Sequence, residues 1–225
     1  MKTKLLFFLI LISFKTIAQI NFDSHLITIQ NDGLDGLGDI AAGDIDGDGD
    51  IDIISTSEQD KNISWYKNLD GNGTFARPIV IENNLFSAFN IYLIDIDGDL
   101  DLDILVSSER YDEDKIFWYE NTDGSGNFGV KQLIYTNVFD GGRIFINHAD
   151  VDGDGDIDIL CATYGTNQSL WLENNSGVFV EHIIESYSFI PSFISAENIN
   201  GDNKLDLEVL MGLAHLAIPF LYQIL

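Results

Sequence analysis

Short apolar or alternating runs recur along this chain, each about four to eight residues long, and turn chemistry divides them. In the stretch from Ile91 to Tyr135 they are Ile91 to Ile94, Leu102 to Ser107, Ile116 to Glu120 and Phe128 to Tyr135. An acidic loop separates the first two, Glu109 to Lys115 the next two, and the glycine-rich turn Asn121 to Asn127 the last two. Runs of this length, rich in β-branched and aromatic residues and bounded by Gly, Asn and Asp, read as strands. No segment sustains the 3.6-residue apolar stripe of a helix, so the expected fold is all-β.

The pattern also repeats at long range. Trp65, Trp118 and Trp171 are spaced 53 and 53 apart, in Ile63-Ser-Trp-Tyr-Lys-Asn68, Ile116-Phe-Trp-Tyr-Glu-Asn121 and Ser169-Leu-Trp-Leu-Glu-Asn174. Phe22, Phe75, Phe128 and Phe179 follow at 53, 53 and 51, and an isoleucine (Ile40, Ile91, Ile146, Ile194) precedes each acidic loop by four residues. A period near 50 residues holding four strands is one blade of a β-propeller. Four blades of about four strands are therefore expected over residues 19–225, with repeats starting near 22, 75, 128 and 179. The Phe22 segment matches the fourth strand of later repeats, and Phe220 to Ile224 matches the third, Trp-bearing one. Either the N-terminal strand completes the last blade, closing a compact monomer without a free edge, or the blades are part of a larger propeller.

The acidic loops carry the chemistry. They read Asp44-Ile-Asp46-Gly-Asp48-Gly-Asp50-Ile-Asp52, Asp95-Ile-Asp97-Gly-Asp99-Leu-Asp101-Leu-Asp103, Asp150-Val-Asp152-Gly-Asp154-Gly-Asp156-Ile-Asp158 and, in worn form, Asn198-Ile-Asn200-Gly-Asp202-Asn-Lys204-Leu-Asp206. Carboxylates at every second residue repel one another unless a hard cation with oxygen ligands sits among them, and calcium is the natural candidate. An EF-hand loop begins the same way, but it needs a glutamate at its twelfth position, where Ser55, Val106 and Cys161 stand, and strands rather than helices follow.

Charge narrows the partners. The chain has 37 acidic and 11 basic residues, a formal net charge of -26; five acids in each of three loops and two in the fourth account for 17 of the 37. That sign excludes a binder of the phosphate backbone, which needs a basic footprint, so nucleic acid is not expected as a partner. A hydrophobic content of 45% and 12% aromatics oppose global disorder.

Lys2 and Lys4, the apolar run Leu5 to Ile12 and the short residues Thr16-Ile17-Ala18 read as a secretory signal over residues 1–18. Export to the cell surface, the periplasm or the medium follows from it. The run is too short to span a bilayer, and the uncharged stretch Val209 to Leu225 is short and interrupted by Pro219, so no membrane span is expected. The sole cysteine, Cys161, lies in an apolar stretch and reads as a buried, inert thiol; with no disulfide available, metal is the expected staple.

These loops, with the Trp-Tyr-x-Asn and Asp-Gly turns, resemble FG-GAP or VCBS repeats, as in the calcium-bearing propeller of integrin alpha chains and many secreted bacterial proteins. The resemblance covers residues 22–225. In loops of this type the side chains at positions 1, 3, 5 and 9 and the carbonyl at position 7 face the ion. On this chain it implies Asp44, Asp46, Asp48 and Asp52 with the backbone of Asp50; Asp95, Asp97, Asp99 and Asp103 with that of Asp101; Asp150, Asp152, Asp154 and Asp158 with that of Asp156; and Asn198, Asn200, Asp202 and Asp206 with that of Lys204. Ile51, Leu102, Ile157 and Leu205 would anchor the loops to the next strand. Position 6 asks for positive φ, which suits Gly49 and Gly155, is tolerated by Asn203 and strains Leu100 by ~1–2 kcal/mol. The fourth loop, with the fewest charges, is expected to be the poorest site.

The same resemblance places ligand recognition on the face opposite the metal loops. There the expected contact residues are Tyr111 and Tyr164 from one set of loops, and Phe86, Phe139, Arg143 and Phe189 from the other. The equally spaced tryptophans read as packing between blades rather than sugar platforms. His25 and His182 share a repeat position and read as structural, while His148 and His215 are isolated. No nucleophile, base and orienter assemble, so no catalytic residue is expected. Three readings remain: a secreted calcium-binding propeller for adhesion or recognition of a protein or glycan; an accessory or catalytic unit acting on polysaccharide; and a structural piece of a larger secreted protein.

Overall fold

The computed structural model describes residues 36–110, 113–137, 143–202, 204–213 and 216–223. The Phe22 strand and its role in closure, the signal segment, His25, His215, Tyr111, Phe139 and Asn203 all lie outside these residues. Every described element is a strand. Sheet one runs β1 (Leu37–Gly43), β2 (Asp52–Ser57), β3 (Asn62–Tyr66) and β4 (Ile79–Glu82); sheet two runs β5 (Ala88–Ile94), β6 (Asp103–Arg110), β7 (Glu113–Tyr119) and β8 (Gln132–Asn137). Sheet three comprises β9 (Ile144–Ala149), β10 (Asp158–Thr163), β11 (Gln168–Asn175) and β12 (Val178–Ser186), and sheet four β13 (Pro191–Glu197), β14 (Asp206–Leu213) and β15 (Leu216–Gln223). Each is an antiparallel meander in chain order, which is the build of a propeller blade.

The sequence dictates where the cores sit. Successive residues of a strand face opposite sides of its sheet, so a strand apolar at every position needs a neighbour on both faces. In β6, Ile104 and Val106 pack with Ile54, Ile63 and Trp65 of sheet one, while Leu105 between them packs with Ile146 and Ile159 of sheet three. In β10, Ile159 and Cys161 turn to sheet two, and Leu160 and Ala162 turn to Ile194, Leu207 and Val209 of sheet four. The hydrophobic clusters thus lie between sheets rather than within them. Burial in one of these interfaces also pushes the Cys161 thiol up, leaving it uncharged.

One expectation shifts in detail, and one repeat position varies between blades. Phe128 does not open the fourth strand of its blade; it forms an isolated bridge with Asn121 and packs on the core between sheets one and two, and β8 begins at Gln132. The isoleucine before each loop is buried in three blades, at Ile91, Ile146 and Ile194, whereas Ile40 is 63% exposed. Ile91 and its counterparts are covered by the preceding sheet; among the described residues, no hydrophobic cluster joins sheet one to sheet four.

Candidate metal centres

The four acidic loops join the first and second strands of their blades. Gly47 and Gly49, Gly98 and Leu100, and Gly153 and Gly155 all sit at positive φ, which curls the loop so that alternate side chains converge. Backbone amides then lock the carboxylates. At position 1, Asp44 accepts from Gly49 N–H at 2.9 Å, Asp95 from Gly98, Asp99 and Leu100, and Asp150 from Gly153 and Gly155. At position 5, Asp48, Asp99, Asp154 and Asp202 each accept the N–H of position 7 at 2.9–3.0 Å. The worn loop keeps this frame, with Asn198 and Asn200 accepting from Gly201 and Asp202.

Three carboxylate groups result: Asp44, Asp46 and Asp48; Asp95, Asp97 and Asp99; and Asp150, Asp152 and Asp158, each offering oxygens within 4.8 Å of one another. Calcium–oxygen distances run about 2.3–2.6 Å, so oxygens on opposite sides of one ion lie roughly 5 Å apart. The spacing fits one ion per group. Among the described residues, Asp44 Oδ1, Asp46 Oδ1 and Asp97 Oδ1 are buried without a hydrogen-bond partner. Burial first, then Asp99, holds the Asp97 carboxyl above its ordinary range.

The remaining loop positions have other contacts. At position 7, Asp156 accepts the N–H of Ser176 at 3.0 Å, and Asp50 and Asp101 lie against Gly71 and Gly124 of the equivalent turns. Position 9 is buried in every blade. Asp103 accepts from Ile96 and Asn121 N–H, Asp158 from Val151 and Asn174 N–H at 2.8 Å each, and Asp206 from Ile199 and Asn200 N–H. Asp52 accepts from Asn68 N–H and the Trp65 indole. Burial pushes Asp103 and Asp158 up to about 6. Of the apolar residues after position 7, Ile51 is exposed and Ile157 packs on the core; the deeper loop anchors are Ile45 and Ile96 at position 2.

Leu100 holds φ 77 with its side chain 89% exposed, so it carries left-handed strain with little packing in return. Replacing Leu100 with glycine is expected to stabilise the protein by roughly 0.5–1.5 kcal/mol, the relief of strain less the added chain entropy. Urea denaturation of the variant checks this, and a loss of stability would contradict it.

One set of site residues escaped the sequence reading. The Asn that ends each Trp motif is buried and ties three elements together. Asn121 Nδ2 donates to Ile45 O of the preceding blade's loop at 2.9 Å, Asn174 Nδ2 donates to Ile96 O at 2.7 Å, and their Oδ1 atoms accept from Gly126 and Gly177. Adjacent metal loops are thereby joined. The tryptophans complete this seam: a Cβ on Gly126 would stand 2.5 Å from the Trp65 ring, so the turn of blade two sits flat on the indole of blade one. Trp65 and Trp118 are buried in the cores between blades; Trp171, partly buried, meets the His182 ring at a 43° tilt, and His182 Nε2 lies 2.5 Å from Glu173.

At the opposite end, loops of two kinds meet. Tyr164 N–H donates to Arg143 O, and the Arg143 guanidinium lies over the Phe89 ring at 4.1 Å and 3.5 Å from Glu109. Lys61 stands over Phe86 at 4.2 Å, and Phe86, Tyr164 and Phe189 are exposed. Arg143 and Tyr164 are thus brought side by side. Beside Glu109 in the β6–β7 pairing is Asp114, fully buried, with neither carboxylate oxygen hydrogen-bonded among the described residues. Burial pushes its carboxyl up to about 7.

The sequence profile of the FG-GAP-like repeat matches residues 44–106 and 150–209, stretches that contain the four loops and central strands described above. Among solved structures, the chain is similar to one in a crystal structure of BBS1N in complex with ARL6DN, soaked with lead. The identity is 13% and the TM-score 0.49, over 76% of this chain and 50% of that one, so this chain spans half the length of its match. No curated protein matches. Because the matched repeats span more than half of the 225 residues, the chain belongs to the FG-GAP-like repeat family.

Proposed function

We propose that this protein is an exported, calcium-stabilised β-propeller module that uses the face opposite its metal loops to recognise a protein or glycan. The observation that carries the metal reading is the set of three carboxylate groups whose oxygens lie within 4.8 Å of one another. Calcium, when bound, would supply charge neutralisation and crosslink the loop that holds it; the chain's own residues do the rest. Position 1 and position 5 carboxylates shape the loop, position 3 points unpaired oxygens inward, and the asparagine bridges hold neighbouring loops in register. Export rests on the signal pattern of residues 1–18, and recognition on Arg143, Tyr164, Phe86 and Phe189 at one end. Among the described residues no helix is long and apolar enough to cross a membrane.

Calorimetric titration of the chain from residue 19 with calcium tests the metal reading, and absence of saturable binding overturns it. Binding to immobilised glycans and extracellular proteins, compared between wild type and Arg143→Ala/Tyr164→Ala, tests the recognition reading; binding that survives the double substitution moves recognition off that end.

A second reading, an activity on polysaccharide, is favoured by one observation: Asp114 and Glu109 form a carboxylate pair away from the metal loops. Full burial of Asp114 argues against it, because substrate does not reach its oxygens in this conformation. A buried carboxyl of this kind has a signature in stability. The folded state holds its proton up to about 7, while the unfolded chain releases it near 3.8, so the contribution is present below the unfolded value and lost as pH rises through 7. With calcium saturating, wild type is expected to lose more stability between pH 5 and pH 8 than Asp114→Asn does. Parallel denaturation profiles for the two would remove Asp114 as the titrating group, and glycan cleavage abolished in Asp114→Asn would favour the enzymatic reading.

A further inference from the structure

Lys67 follows β3 in the Trp-Tyr-x-Asn motif, and its Nζ reaches across the blade into the first acidic loop. It pairs with Asp46 Oδ2 and, at 3.1 Å, with Asp48 Oδ2. The contact is not a loose surface pair: the Asp46 side chain is 7% exposed. Its ammonium accounts for much of what the loop offers a metal. Asp44 Oδ2 already accepts from Gly49 and Asp48 Oδ1 from Asp50, so with Lys67 on the outer oxygens of Asp46 and Asp48, Asp44 Oδ1 and Asp46 Oδ1 remain. Calcium needs six to eight oxygens, and a tethered ammonium within hydrogen-bond reach of the same carboxylates repels it.

The other blades place the opposite charge at this station. The residue equivalent to Lys67 is Glu120 in blade two and Glu173 in blade three. Glu120 accepts from Gln132 Nε2 at 3.4 Å, and Glu173 is turned to His182. One side chain beside the loop therefore differs in sign between blades that otherwise share their loop chemistry.

We propose that Lys67 is a built-in counter-ion of the first acidic loop, whose ammonium takes the place of the divalent cation there. The inference rests on the calcium reading of the loops and deepens it: the loops are not equivalent, and the residue after the Trp-Tyr pair decides whether the first is a metal site. It also reverses the order that loop sequence alone suggests. The glycine-containing first loop becomes a metal-free ion-pair cluster. Because the ammonium is tethered, it competes at a fixed effective concentration that dilution does not lower.

The test is the number and affinity of calcium sites in the chain from residue 19, by calorimetry and by terbium luminescence. Lys67→Met is expected to bind one more ion than wild type, or to tighten a site at least tenfold, and Lys67→Arg to match wild type. Asp46→Asn in the wild-type background should lower the melting temperature in chelator, where no metal contributes. Equal site counts and affinities in wild type and Lys67→Met, with binding present in both, overturn the assignment of Lys67 and leave the calcium reading standing. An unchanged melting temperature of Asp46→Asn in chelator overturns it equally. Absence of binding in every variant sinks the calcium reading itself, and this inference with it.

Discussion

Millimolar calcium is expected to raise the melting temperature of the chelator-treated protein by roughly 2–16 °C. An ion that binds only the native state stabilises it by RT ln(1 + [L]/Kd) per site. For extracellular sites with Kd near ~10⁻⁴–10⁻³ M, that is about 0.4–1.4 kcal/mol each at millimolar calcium. Two or three occupied loops then contribute on the order of 1–4 kcal/mol, and each kcal/mol moves the midpoint of a domain this size by about 2–4 °C. The effect should be specific as well. Magnesium demands tighter octahedral geometry and sheds its waters reluctantly, so an all-protein oxygen cage favours the larger ion. Differential scanning calorimetry with calcium, magnesium and chelator reads both claims. Coincident melting curves in calcium and chelator would remove metal as the staple of a chain whose single cysteine excludes a disulfide.

Much of the blade architecture is legible in the sequence because it rests on local periodicity. Alternation along Ile104-Leu-Val106 and Ile159-Leu-Cys-Ala162 forces both faces of the central strands into contact, and the 53-residue beat of the tryptophans repeats that demand from blade to blade. What periodicity does not encode is which elements become neighbours across blades. Ile40 shares its repeat position with Ile91 yet is exposed, because burial there depends on the neighbouring sheet and not on the strand itself. Phe128 similarly follows the repeat while its role, a bridge to Asn121 over the core, belongs to the turn.

The metal loops show the same division. Their Asp spacing announces a cage, but the third loop gathers Asp158 with Asp150 and Asp152 while the first two gather positions 1, 3 and 5. The residue between Tyr66 and Asn68 reads as a variable strand end; only the fold brings its ammonium to Asp46. A sign change at that repeat position, Lys67 against Glu120 and Glu173, was the available signal. Tyr111 and Phe139 of the expected recognition end lie outside the described residues, so Arg143 and Tyr164 are the adjacent pair on which that reading stands.

Asp158 and Asp154 stand in one loop and should respond oppositely to mutation. Asp158 is fully buried and accepts two backbone N–H groups at 2.8 Å, one from the loop's own Val151 and one from Asn174 at the end of β11. Truncating it leaves both donors unpaired, each costing about 1–3 kcal/mol, so Asp158→Ala is expected to lose roughly 2–6 kcal/mol even in chelator. The exposed Asp154 accepts only from Asp156 within the loop, and its removal relieves repulsion among neighbouring carboxylates. In chelator Asp154→Ala should therefore lie within about 0.5 kcal/mol of wild type, and any loss should emerge only when calcium is added. Urea unfolding of both variants with and without calcium separates the two roles: a cost independent of metal belongs to the scaffold, a cost that calcium brings out belongs to ligation. Equal behaviour of the two variants in chelator would mean that the position 9 aspartate does not latch the loop to its blade, and that its burial serves the cation alone.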